Sequence, residues 1–276
     1  MTAEIQTQNL YIYPIKSCGG IKITFARLTG RGFQYDRCWA LIDENDIVID
    51  QIKYPLLASV KLQLASHALI AQTSNMEPLH IPFQLAQPAN VVIKGYRNQF
   101  AAHRVGASAD AWFSQVIHAP CRLVYMPDTS RRIVNPAYAI NDDVVSFASA
   151  YPYHLMNLDS VAYVNTLFTN PVPIEHFRPN IVISGAPAFA EDQWQIIQIN
   201  GILFHLVKPC DRCAITTVDQ KNGKITGTEP LRTLAKFRTV DKKVLFGQYL
   251  LATQDGIVQS GDCVQIVKSH MSGVVV

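Results

Sequence analysis

The chain has 276 residues, of which 49% are hydrophobic and 16% charged, and its formal net charge is +3. This ordinary globular composition excludes a disordered chain and supplies enough apolar residues for one large core or two smaller ones. The positive charge is weak and dispersed, so it gives no argument for a nucleic-acid-binding protein.

The N-terminus and the cysteines indicate the compartment. The N-terminus has no basic region followed by an apolar run, and no stretch approaches the ~18 consecutive apolar residues of a membrane span. Six cysteines in the whole chain are too few for a disulfide scaffold of the secreted kind. We therefore expect a cytoplasmic protein with reduced thiols and no membrane segment.

Short strand patterns dominate the first part of the chain. We predict strands over residues 10–15, 21–28, 35–42, 61–64, 68–72, 91–94 and 99–104. Proline, asparagine and glycine separate these segments, which favours an antiparallel sheet or a barrel. Ser108 is a suitable N-cap for a helix with Trp112 and Val116 on its apolar face, and a strand over 121–125 follows. We place the end of a first domain at residue 125.

The second part, residues 126–276, combines strands with two predicted helices, whose N-caps we expect at Asp159 and Thr228. Residues 126–141 are polar and interrupted by prolines, so we interpret them as the connection between the halves. Their Arg131-Arg132 pair is most simply solvated, with a partner-docking patch as the alternative. We predict strands after Pro179 and over 194–199, 202–207, 246–250 and 263–267, with Asn200-Gly201 as a hairpin turn. The whole chain is predicted to be mainly β, of the α+β class.

Three cationic side chains occupy junctions between predicted strands and loops. Lys16 begins the loop Lys16-Ser17-Cys18-Gly19-Gly20, where an ammonium, a hydroxyl and open backbone amides suit a phosphate, although an ordinary turn explains the loop as well. Arg37 lies within an otherwise apolar predicted strand, where it either pairs with a carboxylate such as Asp36 or is reserved for an anion. Arg178 precedes Pro179, which favours an extended backbone in its predecessor.

Cys210 and Cys213 stand directly after the second strand of the hairpin, and the Ile, Thr and Val residues behind them are typical of a strand. A zinc half-site would need a second pair of ligands, which no other Cys-x2-Cys and no nearby His-x3-5-His spacing supplies. A thioredoxin-like pair belongs to a βα unit, and an iron–sulfur cluster needs four suitably spaced cysteines. What remains is one thiolate in a cationic neighbourhood, since Arg212 adjoins Cys213 and favours the form of the thiol that binds metals or acts as a nucleophile.

Four segments together resemble the MOSC superfamily. They are Pro14-Ile15-Lys16-Ser17, Asp36-Arg37, Phe177-Arg178-Pro179-Asn180-Ile181-Val182, and the segment from Cys210 to Asp219. Within that superfamily the chain is similar to the branch with an N-terminal β-barrel domain, which includes bacterial YcbX-type proteins and mitochondrial amidoxime reducing components. The similarity covers nearly the whole chain in the same order. It implies an N-terminal β-barrel-like domain over 1–125, packed on a MOSC β-barrel domain with a few helices over 126–276.

The resemblance also implies a molybdenum cofactor, which is a pterin with a dithiolene and a terminal phosphate. The reaction it implies is reduction of N-hydroxylated compounds, such as hydroxylamines, amidoximes and N-hydroxylated bases, to the amine and water. It assigns Cys213 as the metal ligand and catalytic residue. The cofactor-binding residues implied by the same matching are Lys16, Ser17, Arg37, Asn157, Arg178, Asn180, Asp211 and Arg212, together with Cys213.

Two features depart from the family pattern. Ser149-Ala150 stand where the family has Asp-Gly before a Tyr-Pro pair, and alanine adopts a positive φ less readily than glycine, which changes what that loop can contact. We also expect neither the ferredoxin-like domain of the YcbX-type proteins nor the membrane anchor of the mitochondrial relatives in this chain. We therefore expect a small-molecule substrate and an electron donor in trans, such as a ferredoxin, a flavoprotein or a haem protein.

Two other functions stay open on the sequence. The first is a sulfur carrier or transferase of the molybdenum cofactor sulfurase type, with a persulfide on Cys213. The second is a module without enzyme activity that stores the cofactor or hands it over. The Lys16 and Arg37 matches and the N-terminal barrel favour the reductase.

Overall fold

The computed structural model describes residues 4–94, 96–225 and 227–270. The strands of the N-terminal half are β1 Gln6–Ile12, β2 Ile21–Ile23, β3 Phe25–Thr29, β4 Gly32–Phe33, β5 Trp39–Ile42, β6 Lys61–Leu64, β7 Ala68–Thr73, β8 Met76–Pro82, β9 Ala89–Ile93, β10 Phe100–Arg104 and β11 Arg122–Tyr125. Helix α1 covers Ala107–Ile117, and a short 3-10 helix covers Pro55–Ser59.

The C-terminal half adds longer strands and two short helices. Its strands are β12 Tyr153–Asn157, β13 Ile181–Ser184, β14 Trp194–Ile199, β15 Ile202–Arg212, β16 Thr239–Val240, β17 Lys243–Ala252, β18 Gly256–Gln259 and β19 Val264–Ser269. The α-helices are α2 Leu158–Asn165 and α3 Leu231–Ala235, and the 3-10 helices are Pro136–Tyr138, Ile174–Phe177, Ala190–Gln193 and Ala214–Thr217. The prediction of a mainly β fold with a few helices is confirmed.

The largest sheet has nine strands and draws on both halves of the chain. Its order is β19-β14-β15-β17-β12-β13-β1-β2, with β16 pairing on β17. β12 and β13 run parallel, and the other pairs of this sheet are antiparallel. Three smaller sheets have the orders β5-β11-β10-β9, β18-β3-β4 and β6-β7-β8. β18 near the end of the chain therefore pairs with β3 near its beginning.

The cores follow the sheets. One apolar cluster joins Leu10, Leu28 and Phe33 of the N-terminal half to Tyr153, Ile181, Phe204 and Leu250 of the C-terminal half. A second cluster lies within the N-terminal half, where α1 packs Phe113 and Ile117 onto Trp39, Leu123 and their neighbours. Within residues 4–94, 96–225 and 227–270, none of the helices combines the length and the apolar character needed to cross a membrane.

Several local predictions are confirmed. The Asn200-Gly201 turn joins β14 to β15 with φ values of 47° and 78°, which is the left-handed pair that such a two-residue turn needs. The strands predicted over 61–64 and 194–199 have the observed bounds. β8 lies outside the predicted strands; its two prolines are tolerated because the structure places it at the edge of its sheet.

Other local predictions are wrong. The strand predicted over 35–42 begins only at Trp39, and the run after Cys213 is a 3-10 helix, not a strand. The N-caps are Gly106, Asn157 and Pro230 instead of Ser108, Asp159 and Thr228. Hairpin strand β15 continues to Arg212, well past the predicted end at 207, so the Cys-x2-Cys motif lies at the end of a long strand.

Candidate functional site

A cleft opens where the turn after β1, the end of β15 and the turn before β13 meet. Its volume is about 750 Å³, including the space open to solvent. The predicted site residues that line it are Lys16, Ser17, Arg37, Arg178, Asn180, Asp211, Arg212 and Cys213. Four of these side chains are cationic and one is a carboxylate, so the cleft attracts anionic ligands.

Lys16 and Ser17 form a tight turn that is held against the start of β5. The backbone N–H of Lys16 donates to the first carbonyl of β5 at 2.8 Å, and Ser17 has a φ of 72°. The Lys16 Nζ atom donates to the carbonyl of Phe147 at 3.0 Å. Burial lowers the pKa of Lys16 to about 7, and repulsion from the guanidinium groups of Arg132 and Arg37 acts in the same direction.

Arg37 and Arg178 both occupy turns with left-handed backbone. Their φ values are 49° and 52°, so Arg37 is not inside a strand, and Arg178 is not extended as the following proline predicted. Both guanidinium groups lie against the ring of Tyr13, at 4.3 Å and 4.2 Å from its centroid. Burial lowers the pKa of Arg178 to about 10, which leaves it charged at neutral pH.

The two arginines differ in their polar partners. Arg37 donates from Nη1 to Asp36 Oδ2 at 2.6 Å and to Asn180 Oδ1 at 2.9 Å. Asn180 in turn donates from Nδ2 to the carbonyl of Tyr11 at 3.1 Å, so this residue positions Arg37. Arg178 donates from Nη1 to the neutral side-chain amide of Gln220 at 3.0 Å. The pairing of Arg37 with Asp36, one of the two readings of the sequence, is confirmed.

Cys213 is an exposed free thiol at the end of β15. A β-bulge between Pro209 and Asp211 interrupts the ladder just before it, and the 3-10 helix Ala214–Thr217 begins just after it. The carbonyl of Cys213 accepts from both the N–H and the hydroxyl of Thr216, at 3.1 Å and 3.0 Å. The turn therefore fixes the backbone of Cys213 and leaves its side chain facing the cleft.

Cys210 is a different kind of thiol. It is buried and borders the same cleft, and burial raises its pKa. The partly buried side chain of Tyr249 also lies beside it, and burial first and then Cys210 raise the pKa of this phenol. A buried thiol with a raised pKa is a poor nucleophile and a poor metal ligand, so Cys213 is the chemically available member of the pair.

The guanidinium of Arg212 is occupied by protein acceptors. It donates to the carbonyl of Phe246 at 2.7 Å, to that of Phe177 at 3.0 Å and to His154 Nε2 at 2.6 Å. Because an arginine only donates, His154 Nε2 accepts, and burial together with Arg212 lowers the pKa of this histidine. Gly247 permits this approach, since a Cβ there would lie 2.7 Å from His154 Nε2 and the residue has a φ of 78°.

Asp211 turns its carboxylate towards two lysines. Lys208 Nζ lies 3.1 Å from it and Lys243 Nζ 3.4 Å. These partially exposed ion pairs contribute little stability. They do offset the single negative charge on the wall of the cleft, so Lys16 and Arg178 are not neutralised by it.

The structure does not bring Asn157 to the cleft. Asn157 is fully buried and caps α2, where its Oδ1 accepts from the N–H of Asp159 at 3.1 Å. Its Nδ2 donates to the carbonyl of Pro187 at 2.9 Å and to Glu191 Oε2 at 3.1 Å. The polar atoms of the Asn157 side chain are thus occupied by hydrogen bonds that connect β12 to α2 and to the buried Glu191.

Several residues at the cleft were missed by the sequence analysis. Gln51, Tyr151, His154, His176 and Tyr249 also line it. Arg132 was expected to be solvated, but it is buried, lies 4.0 Å over the ring of Tyr96 and donates to the carbonyls of Ser146, Ala148 and Ser149. It thereby shapes the loop that forms one wall of the cleft. Isolated glutamines and histidines form no sequence motif that would mark them as site residues. Arg132 is different, because the Arg131-Arg132 pair was noticed in the sequence, although its burial was not predicted.

The donor set of the cleft fits a phosphate-bearing group with a thiophilic metal. Cys213 offers one accessible sulfur, which is the ligand type that soft and sulfur-bound metals prefer. Lys16, Arg37 and Arg178 offer ammonium and guanidinium donors, which suit a phosphate. The residues that the resemblance assigns to a molybdenum cofactor therefore lie together in this cleft, with Asn157 as the exception.

Two family models match the chain, one in each half. The MOSC N-terminal beta barrel domain model matches residues 4–120, and the MOSC domain model matches residues 142–265. Mitochondrial amidoxime reducing component 2 of Rattus norvegicus is 31% identical over 274 residues, which cover 92% of this chain and 80% of the relative. Mitochondrial amidoxime-reducing component 1 of Homo sapiens is 28% identical over 278 residues, covering 94% and 82%.

A further relative is longer. The molybdenum cofactor sulfurase of Danio rerio is 29% identical over 263 residues, which cover 88% of this chain but 31% of the sulfurase. The two domain models and the extent of the similarity to the amidoxime reducing components identify the family. The chain belongs to the MOSC-domain proteins with an N-terminal MOSC β-barrel domain, the family of the mitochondrial amidoxime reducing components.

Proposed function

We propose that this protein is a molybdenum-cofactor-dependent reductase that converts N-hydroxylated compounds to amines. The substrate class comprises hydroxylamines, amidoximes and N-hydroxylated bases, and the overall change is R–NHOH with two electrons and two protons to R–NH2 and water. One observation supports this above all: the exposed thiol of Cys213 shares a cleft with Lys16, Arg37 and Arg178. The names of the relatives support the reaction type.

Cys213 would bind the metal, and the cations would bind the pterin and its phosphate. When bound, the cofactor supplies the two-electron chemistry at its metal. Lys16 and Arg178 would contact the phosphate with charges that no carboxylate within hydrogen-bond distance compensates in the described residues. Arg37, already bonded to Asp36 and Asn180, would present a fixed guanidinium edge.

His154 is not suited to deliver the protons of this reaction. Its Nε2 accepts from Arg212 at 2.6 Å, and its Nδ1 lies 3.4 Å from the carbonyl of Arg178. Since burial and Arg212 lower its pKa, the imidazole stays neutral at working pH. Its role in the cleft is to hold Arg212 and thereby the end of β15.

Metal analysis and turnover test the proposal together. Expressed in a host that makes the cofactor, the wild-type chain should contain about one molybdenum atom per chain, held through the Cys213 thiolate. It should also reduce benzamidoxime or 6-hydroxylaminopurine with reduced methyl viologen as electron donor. Cys213→Ala should lose both properties. Cys263→Ala removes a partly exposed thiol outside the cleft and should keep both.

The physiological electron donor is proposed to be a separate ferredoxin, flavoprotein or haem protein. Each of these proteins can pass one or two electrons to the cofactor that we propose for this chain. The same turnover assay distinguishes them, since the donor that replaces methyl viologen at low concentration identifies the class.

A sulfur-transfer function is the alternative, and the exposure of Cys213 together with the similarity to the cofactor sulfurase favours it. In that case intact-mass spectrometry of the purified chain would find a persulfide on Cys213 and metal analysis no molybdenum. A chain that contains molybdenum but fails to reduce any N-hydroxylated substrate would instead indicate a module that stores or transfers the cofactor. Either result would contradict the reductase.

A further inference from the structure

Two side-chain amides, Gln51 and Gln220, bond to each other at the edge of the cleft, which Gln51 lines. Gln51 Nε2 donates to Gln220 Oε1, and Gln220 Nε2 donates to Gln51 Oε1, both at 3.2 Å. Gln51 is fully buried. The two residues lie 169 positions apart in the sequence, so the pair joins the two halves of the chain.

The two atoms of the first of these bonds, Gln51 Nε2 and Gln220 Oε1, also hold two parts of the candidate site. Gln51 Nε2 also donates to the carbonyl of Ser17 at 2.6 Å, and Gln220 Oε1 also accepts from Arg178 Nη1 at 3.0 Å. A carbonyl only accepts and a guanidinium only donates, so both amide orientations are fixed by their outer partners. The result is one continuous chain of hydrogen bonds from the Lys16-Ser17 turn to Arg178.

The partner of Arg178 in this connection is neutral, unlike the partner of Arg37. Arg37 has a carboxylate partner, Asp36, at 2.6 Å. Arg178 has an amide partner at 3.0 Å and the ring of Tyr13 at 4.2 Å, and it forms no ion pair with the residues that the structure describes. A glutamate at position 220 would reach the same guanidinium and neutralise it. The amide holds the arginine in place without compensating its charge.

We propose that Gln51 and Gln220 are positioning residues that fix the Ser17 turn and Arg178 relative to each other and keep the charge of Arg178 available for a phosphate group. This inference rests on the proposed function, because it assumes that the cleft binds a phosphate-bearing ligand. It goes beyond that function in assigning roles to two residues that are not among the predicted cofactor-binding residues. Gln220 acts through Arg178, and Gln51 acts through Ser17 and Gln220.

Substitutions at position 220 separate charge from geometry. Gln220→Glu keeps the size of the side chain and adds a carboxylate next to Arg178, whereas Gln220→Met keeps the size and removes every hydrogen bond without adding charge. If the neutrality of the amide matters, Gln220→Glu weakens phosphate binding by about tenfold or more, and Gln220→Met weakens it by about threefold. A role in stability alone predicts the same affinity loss for both variants.

The experiment measures pyrophosphate binding to the cofactor-free full chain by titration calorimetry, well below the melting temperature of each variant. Gln265→Glu is the matched control, because Gln265 is exposed on edge strand β19 and lines none of the cleft; it adds the same charge and should bind like the wild type. Equal affinities of Gln220→Glu and Gln220→Met would overturn this inference alone. Absence of pyrophosphate binding by the wild-type chain would overturn the anionic ligand, and with it the proposed function as well.

Discussion

Single residues in the cleft that look alike in the sequence do different work. Arg37, Arg178 and Arg212 all stand in recognisable motifs. Arg37 is neutralised by a buried carboxylate, Arg178 is held by an amide, and Arg212 is occupied by carbonyls and a histidine. Of the three, Arg178 has the charge most available for a ligand. The hydrogen-bond partner of each guanidinium group therefore decides whether the arginine can bind a ligand. For Arg178 and Arg212 these partners lie far away in the sequence.

Lys16 gives a prediction at this scale, because burial disfavours its charged form. Its pKa in the folded chain is about 7, below its ordinary value of 10.5. Between these values the unfolded chain binds more protons than the folded one, so the stability of the chain rises with pH across this window. The burial cost is therefore largest below pH 7. Lys16→Met should raise the melting temperature of the cofactor-free chain at pH 6 by roughly 2–5 °C.

Thermal unfolding followed at several pH values checks the sign of this effect. The stabilisation by Lys16→Met should shrink as the pH rises from 7 towards 10.5, because the folded chain loses the Lys16 proton while the unfolded chain still binds it. Lys22→Met, at an exposed position of β2, should have no such dependence on pH. If Lys16→Met destabilises the chain at pH 6, the wild-type hydrogen bond from Lys16 to the Phe147 carbonyl outweighs the cost of burying the ammonium.

The part of the site that sequence reasoning found consists of residues with a chemical signature. Cys213, Lys16 and Arg178 stand out because each lies in a short motif that resembles the MOSC superfamily and carries a thiol, an ammonium or a guanidinium. Gln51 and Gln220 could not be found in this way, because a glutamine is common on any surface and its importance comes from a partner 169 residues away. Their function is a property of the fold and has no local pattern.

At the scale of elements, the turns that carry the site contradict local preference. Ser17, Arg37 and Arg178 all have positive φ, which costs about 1 kcal/mol or more for each such residue. The sequence around Arg37 is typical of a strand, and the proline after Arg178 favours an extended predecessor. Tertiary contacts reverse both preferences: the ring of Tyr13, the bonds of Asn180 and the amide of Gln220. Local patterns therefore predicted most strands and the Asn200-Gly201 turn, but not the left-handed backbone at Arg37 and Arg178.

Asn157 provides the test at the level of an element, since the structure makes it the N-cap of α2 and the resemblance made it a cofactor contact. Asn157→Ala removes the cap and leaves the buried Glu191 without one of its donors. We expect a loss of about 2–4 kcal/mol in the free energy of unfolding. The molybdenum content per folded chain should stay at the wild-type level.

Denaturant unfolding and metal analysis of the same preparations decide between the two roles. Asn141→Ala, at an exposed loop position, should leave both quantities unchanged. Loss of molybdenum from an Asn157→Ala chain of nearly normal stability would contradict the structural role and restore the contact implied by the resemblance.

At the scale of the whole molecule, the division into domains 1–125 and 126–276 stays a prediction. The sheets join strands from both sides of this division. β1 pairs with β13 and β3 pairs with β18, and the Gln51–Gln220 pair lies on the same border. The candidate site draws Lys16 and Arg37 from one side of the division, and Arg178 and Cys213 from the other. A cleft that needs both halves is formed only when both are folded against each other.

This interleaving predicts that residues 126–276 do not fold alone. They would lose Leu10, Ile12, Leu28 and Phe33, each at most 1% exposed in the shared core, and burying each such side chain is worth about 1.5–3 kcal/mol. That sum is comparable to the whole stability of a typical protein, about 5–15 kcal/mol.

Expressed alone, 126–276 should show no cooperative unfolding by circular dichroism, whereas the full chain should unfold in a single transition. Co-expression of 1–125 with 126–276 as separate chains should restore a folded complex that binds pyrophosphate. A cooperative transition of 126–276 alone would show that β13 and β12 close their core without the N-terminal strands.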